Sequence, residues 1–146
     1  MQSFSLLGLL AVLFMSAACT SSGPGGPGTC DATAQCSCSN TACACQGNGR
    51  CDSVCGDSCQ LACSSVQGCS GACGANCSAS CSGPGRCVFR LGNGSSVACS
   101  ADQSCDVTCY GSCRVTSSGR GVASVTCLSG TLTDCGNGLQ ACGLCS

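Results

Sequence analysis

Cysteine is the residue through which this sequence could do chemistry: it makes up 23 of the 146 residues. From Cys51 it returns every four residues, at Cys55, Cys59 and Cys63, and after a gap of six the set starts again at Cys69, Cys73, Cys77 and Cys81. A thiol can close a disulfide, hold a soft metal or act as a nucleophile once ionised. The groups that usually assist such chemistry are missing. There is no His, Glu or Lys, and the charges are six Asp and five Arg, for a net charge of -1. General acid-base work therefore lacks its usual groups, and none of the many serines has a base to activate it. Cys142-Gly-Leu-Cys145 matches the redox C-x-x-C spacing, but without the strand and helix that frame such sites it reads as a terminal structural bridge. A near-neutral chain without Lys carries no electrostatic footprint for nucleic acid, and no cofactor is implied.

The elements that hold these thiols follow from the repeat. The second set of cysteines is the first displaced by 18 residues, and the same ruler reaches from Cys45 to Cys145, which marks an internal repeat. With Cys51 as position 0 of a unit, cysteine belongs at positions 0, 4, 8 and 12. The exceptions decide the pairing. Leu91 and Ser95 replace the cysteines at positions 4 and 8 while Cys87 and Cys99 stay. Ser117 and Ala123 replace position 12 and the next position 0 while Cys113 and Cys127 stay. Losses in adjacent pairs leave no orphan thiol if bridges join position 4 to 8 and position 12 to the next 0. The predicted bridges are Cys45 with Cys51, Cys55 with Cys59, Cys63 with Cys69, Cys73 with Cys77, Cys81 with Cys87, Cys99 with Cys105, and Cys109 with Cys113. Cys30, Cys36, Cys38 and Cys43 would form two more in an N-terminal cap. Cys127, Cys135, Cys142 and Cys145 would form two at the C-terminus; spacing leaves the pairing inside either group open.

Between the cysteines the residues alternate, as in Cys105-Asp106-Val107-Thr108-Cys109 and Cys113-Arg114-Val115-Thr116. Cys and Val on one parity with polar residues on the other is the pattern of a half-buried strand. Gly-Asp-Ser, Gly-Ala-Asn and Gly-Asn-Gly follow at positions 5 to 7, and Ser-Gly-Pro-Gly-Arg lies between units; both are turn sequences. The expected fold is all-β and disulfide-rich, a short-strand β-solenoid or stacked hairpins with an 18-residue repeat and little helix outside a signal peptide. Four-residue spacing also suits a helix, an alternative kept for the first two sets, which carry less Val and more Ala. Large apolar side chains are scarce beyond the leader: one Phe, one Tyr, no Trp and no Ile. Cross-links must then replace a core that is too small.

Phe4 to Ala18 is an apolar run shorter than the roughly 20 residues a spanning helix needs, followed by Ser16-Ala17-Ala18-Cys19. This junction resembles the lipobox of bacterial lipoproteins. The resemblance implies that Cys19 is acylated and becomes the new N-terminus, with membrane lipid as partner and, from Thr20, the outer membrane as destination. It leaves 22 cysteines, an even number. The expected organisation is a signal peptide at 1–18, a lipidated Cys and Gly/Pro/Ser tether at 19–29, and a cysteine-rich domain at 30–146, with an N-cap at 30–50, repeats at 51–122 and degenerate repeats at 123–146.

The function expected is that of a lipid-anchored cell-surface structural or binding protein without catalytic activity, its protein or glycan partner unspecified. The competing reading is a soft-metal binder: Cys36-Ser-Cys38 and Cys43-Ala-Cys45 without His resemble metallothionein. Against it stands an exported chain's oxidising surroundings, where thiols become bridges. Asp52, Asp57, Asp102, Asp106 and Asp134 read as loop-solvating residues rather than Ca(II) ligands. Thr108, Thr116 and Thr126 resemble the threonine faces of ice-binding solenoids, but their column is broken by Arg90, Ala72 and Asp134, so they read as ordinary strand surface.

Overall fold

The computed structural model describes residues 29–145, apart from 31–33, 39–40, 65, 103, 119 and 122. Among the described residues every regular element is a strand. The chain begins with β1 (Thr29–Cys30), β2 (Ala34–Cys38), β3 (Ala42–Gly47), β4 (Arg50–Cys55) and β5 (Gln60–Ser64). It continues through β6 (Gly68–Cys73), β7 (Ser78–Gly83), β8 (Arg86–Leu91), β9 (Ser95–Ala101) and β10 (Cys105–Cys109). It closes with β11 (Cys113–Ser117), β12 (Ala123–Cys127), β13 (Leu132–Gly136) and β14 (Leu139–Cys142).

These strands form a β-solenoid. One sheet has the order β1-β4-β6-β8-β10-β12 and the other β13-β14-β11-β9-β7-β5-β3-β2. From β3 to β12 each consecutive pair of strands makes one coil, which stacks in parallel on the next. The register is 18 residues without slip: Cys51 lies beside Cys69, Cys69 beside Cys87, and Cys87 beside Cys105. The opposite sheet keeps the same offset, with Cys45 beside Cys63, Cys63 beside Cys81, and Cys81 beside Cys99. The first two cysteine sets lie in β4 to β7 and are strands, not helix. Gly and Ser between their cysteines disfavour a helix that spacing alone would permit.

Two features of the ends depart from the repeat. β3 already belongs to the parallel stack, so the repeat begins before Cys51, and the cap proper is β1 and β2, which pair antiparallel with β4 and β3. At the other end β14 pairs antiparallel with β11, and β13 antiparallel with β14. Reversed strands that break the repeat cover sheet edges which would otherwise offer unpaired backbone.

The centre of the solenoid is packed by size complementarity. The four coils from β5 to β12 each send one central side chain inward from each sheet: Leu61 with Gly71, Ala79 with Phe89, Val97 with Val107 and Val115 with Val125. In the first two of these a large residue shares the coil with a small one, and the 18-residue register then sets Gly71 beside Phe89. A Cβ on Gly71 would run into the Leu61 side chain and come within 3.0 Å of Phe89 Cδ1. Phe89 and Leu61 are buried, at 0% and 1% exposure. One aromatic ring thus fills the space that glycine leaves open, and native packing density is reached with few large residues.

The turns are stitched coil to coil. Ser58, Asn76 and Gly94 stand at equivalent places in successive coils, all with positive φ (56°, 57° and 74°), a conformation open to Gly and tolerated by Asn. Asp57 Oδ1 accepts the Ala75 N–H of the next coil at 2.7 Å, and Asn93 Oδ1 accepts the Ser112 N–H at 2.9 Å. Where the bridge is missing, Leu91 is buried and Ser95, also buried, donates its hydroxyl to Gly74 O and accepts from Cys77 N. A filled apolar slot and a satisfied hydroxyl replace the absent bridge.

Candidate functional site

The residues this sequence marks for chemistry come together as two columns of sulfur along the corners of the solenoid. One column holds Cys63–Cys69, Cys81–Cys87 and Cys99–Cys105, with Cα separations of 6.3, 6.4 and 6.2 Å. The other holds Cys55–Cys59, Cys73–Cys77 and Cys109–Cys113, at 5.9, 6.1 and 6.1 Å. These separations lie within the span a disulfide bridges without backbone movement. Each bridge closes a corner between the two sheets, with the cysteines buried.

At the C-terminus Cys127 is joined to Cys142 and Cys135 to Cys145, each at a Cα separation of 5.6 Å. The two cysteines of the C-x-x-C motif are therefore bonded elsewhere and not to each other. The cause is the reversed strand: β14 sets Cys142 beside Cys113, facing inward where the next coil's cysteine would stand. A fixed spacing cannot register a cysteine that arrives from the opposite chain direction.

Cys45 and Cys51, both fully buried, are not joined to each other. β2 lies antiparallel against β3 and sets Cys36 beside Cys45. A third sulfur thus enters a corner where the interior coils have two, and Cys36 Sγ lies 3.7 Å from Cys45 Sγ and 3.4 Å from Cys51 Sγ. Cys45 keeps a free thiol, 3.6 Å from Ser53 Oγ. Cys36 and Cys43 are disulfide-bonded. Cys19 lies outside the described residues, and so do the side chains of Cys30 and Cys38.

Three groups of buried sulfurs sit within 4.8 Å of one another: Cys36, Cys45 and Cys51; Cys45, Cys63 and Cys69; and Cys109, Cys113 and Cys142. The second and third contain a closed bridge, and Cys36 of the first is bonded as well. A bonded sulfur is not a thiolate, the form that ligates metal.

The outer faces differ in charge. β4, β8 and β10 carry Arg50, Asp52, Arg86, Arg90 and Asp106 on the outside of one sheet, whereas the opposite face presents mostly Ala and Ser, with Arg114 at one end. Arg86 Nε donates to Asp106 Oδ2 at 2.7 Å, a pair so exposed on the Arg side that it contributes little to stability. An open groove of about 300 Å³ lies between Arg50 and Arg86, with Gly68 as its floor and Asp52 on its rim. Asp57 caps a turn, and Asp134 Oδ1 accepts from Gly136 N at 2.9 Å inside its own hairpin. Thr108 and Thr126 are neighbours on β10 and β12, while Thr116 lies on β11 in the other sheet beside Ala98. The three threonines do not share one face.

Sequence reasoning missed the C-terminal hairpin, for which Asn137-Gly138 was the available signal: its φ values of 53° and 76° are those of a two-residue hairpin turn. Comparison with protein-family models, with curated proteins and with solved structures gives no match.

Proposed function

We propose that this chain is an exported, lipid-anchored structural or binding protein without catalytic activity. The bridged solenoid serves as a rigid, protease-resistant rod, and Thr20 to Gly28 as its tether to the bacterial outer membrane. The observation that carries the reading is the pair of buried bridge columns, because disulfides in such number form and persist in oxidising compartments. The lipobox-like junction at Cys19 supports the anchor, and the absence of His, Glu and Lys from the sequence supports a role without acid-base chemistry. Rigidity would follow from coils that are covalently closed at their corners and hydrogen-bonded to both neighbours, leaving the outer faces for contact.

Metabolic labelling with a palmitate analogue in a Gram-negative host tests the anchor. The wild-type chain is expected to carry label on the Cys19 peptide, and Cys19→Ser none. A mature chain with an unmodified Cys19 would overturn the lipid-anchored reading. The buried free thiol of Cys45, beside Cys36 and Cys51, is the observation that favours a metallothionein-like soft-metal binder. Stoichiometric Zn(II) or Cu(I), with free thiols, in protein purified anaerobically would select that reading instead.

A further inference from the structure

We propose that Asn137 is a site of spontaneous deamidation in the folded protein, whereas Asn93, in the same Asn-Gly sequence, is protected by the fold. Asn-Gly is chemically susceptible because glycine has no side chain to hinder attack by its own nitrogen. The Gly nitrogen attacks the Asn Cγ, a new N–C bond forms, and the side-chain nitrogen leaves as ammonia with the Gly proton. Water then opens the cyclic imide at either carbonyl, giving Asp or isoaspartate; nothing is oxidised or reduced.

Asn-Gly occurs three times, at Asn48, Asn93 and Asn137, and the last two differ in what the fold does with these atoms. Asn93 Oδ1 accepts from both Ser112 N and Ser112 Oγ, each at 2.9 Å, and the attacking group, Gly94 N–H, donates to Ser112 O at 2.7 Å. Amide and nucleophile are thus held apart by three bonds to the next coil. Asn137 and Gly138 form the exposed tip of the hairpin between β13 and β14. Gly138 is tied to β11 through its carbonyl, which accepts from Ser117 N at 2.8 Å, while the Asn137 side chain stands exposed at the tip. Either product sets a carboxylate, and isoaspartate also an extra backbone methylene, at the tip of the hairpin that carries Asp134 and Cys135.

The test compares the bridged full-length chain with the same chain reduced, alkylated and denatured, both incubated in mildly alkaline buffer and followed by peptide mapping for a gain of about 1 Da. In the denatured chain the two sites are expected to react at similar rates. In the folded chain Asn137 should stay within a few-fold of that rate, and Asn93 should slow by at least about tenfold, because its hydrogen bonds must break first. Ser112→Ala should speed Asn93 and leave Asn137 unchanged. Equal rates in the folded chain, or protection of Asn137 to the same degree as Asn93, would overturn the proposal.

Discussion

Complete reduction is expected to unfold the solenoid at room temperature without denaturant. Eight bridges have both partners described. In loops as short as these each contributes about 2 kcal/mol by constraining the unfolded chain, so together they contribute about 16 kcal/mol. That sum matches or exceeds the ~5–15 kcal/mol by which a domain is ordinarily stable. The apolar core has little to replace it with: one Phe, a few Val and Leu, and otherwise Ala and the cysteines themselves. Circular dichroism of the reduced and alkylated chain should lose the strand signal that the bridged chain shows in the same buffer. A strand spectrum that survives with every cysteine alkylated would mean that hydrogen bonding and Val stacking hold the coils without the bridges.

Replacement of Phe89 by Ala, with the bridges intact, is expected to cost about 3–5 kcal/mol. Phe89 is the largest buried side chain among the described residues, and the slot that receives its ring exists because Gly71 in the coil below has no side chain. Gly71→Val inverts the argument. Its methyl groups would fall on Leu61 and Phe89, and overpacking of this kind costs about 1–3 kcal/mol. Leu61→Ala in the same chain should recover part of that loss, because the two residues share one coil and volume removed from one wall is returned at the other. Denaturant titration of Phe89→Ala, of Gly71→Val and Leu61→Ala singly, and of the double variant, all without reductant, measures this directly, provided the slopes agree. Strict additivity of Gly71→Val and Leu61→Ala would show that the two side chains do not meet across the coil.

The period and the interior bridges were legible because cysteines are lost in pairs. Leu91 with Ser95 and Ser117 with Ala123 each delete both ends of one corner, so the sequence states which ends belong together. The strand assignment was legible from the alternation of Cys and Val with Asp, Arg and Thr. Three things were not. The pairing of Cys127 with Cys142 depends on a strand that runs backwards, and a repeat ruler measures only forward offsets. The corner at Cys45 and Cys51 looks like every other corner in spacing, and only the antiparallel cap brings Cys36 into it. The third is the core. Gly71 and Phe89 each look like a lapse in the pattern when read along the chain, and become partners only when the coils are stacked at 18 residues.

The bridge pattern itself is the most direct test of a solenoid closed at its corners. Peptide mapping of the unreduced protein, with free thiols blocked at acid pH, should link Cys63 to Cys69, Cys81 to Cys87, Cys99 to Cys105 and Cys127 to Cys142. Links of Cys59 to Cys63, or of Cys69 to Cys73, would join the two ends of a strand instead of the two sides of a corner, and would contradict the account.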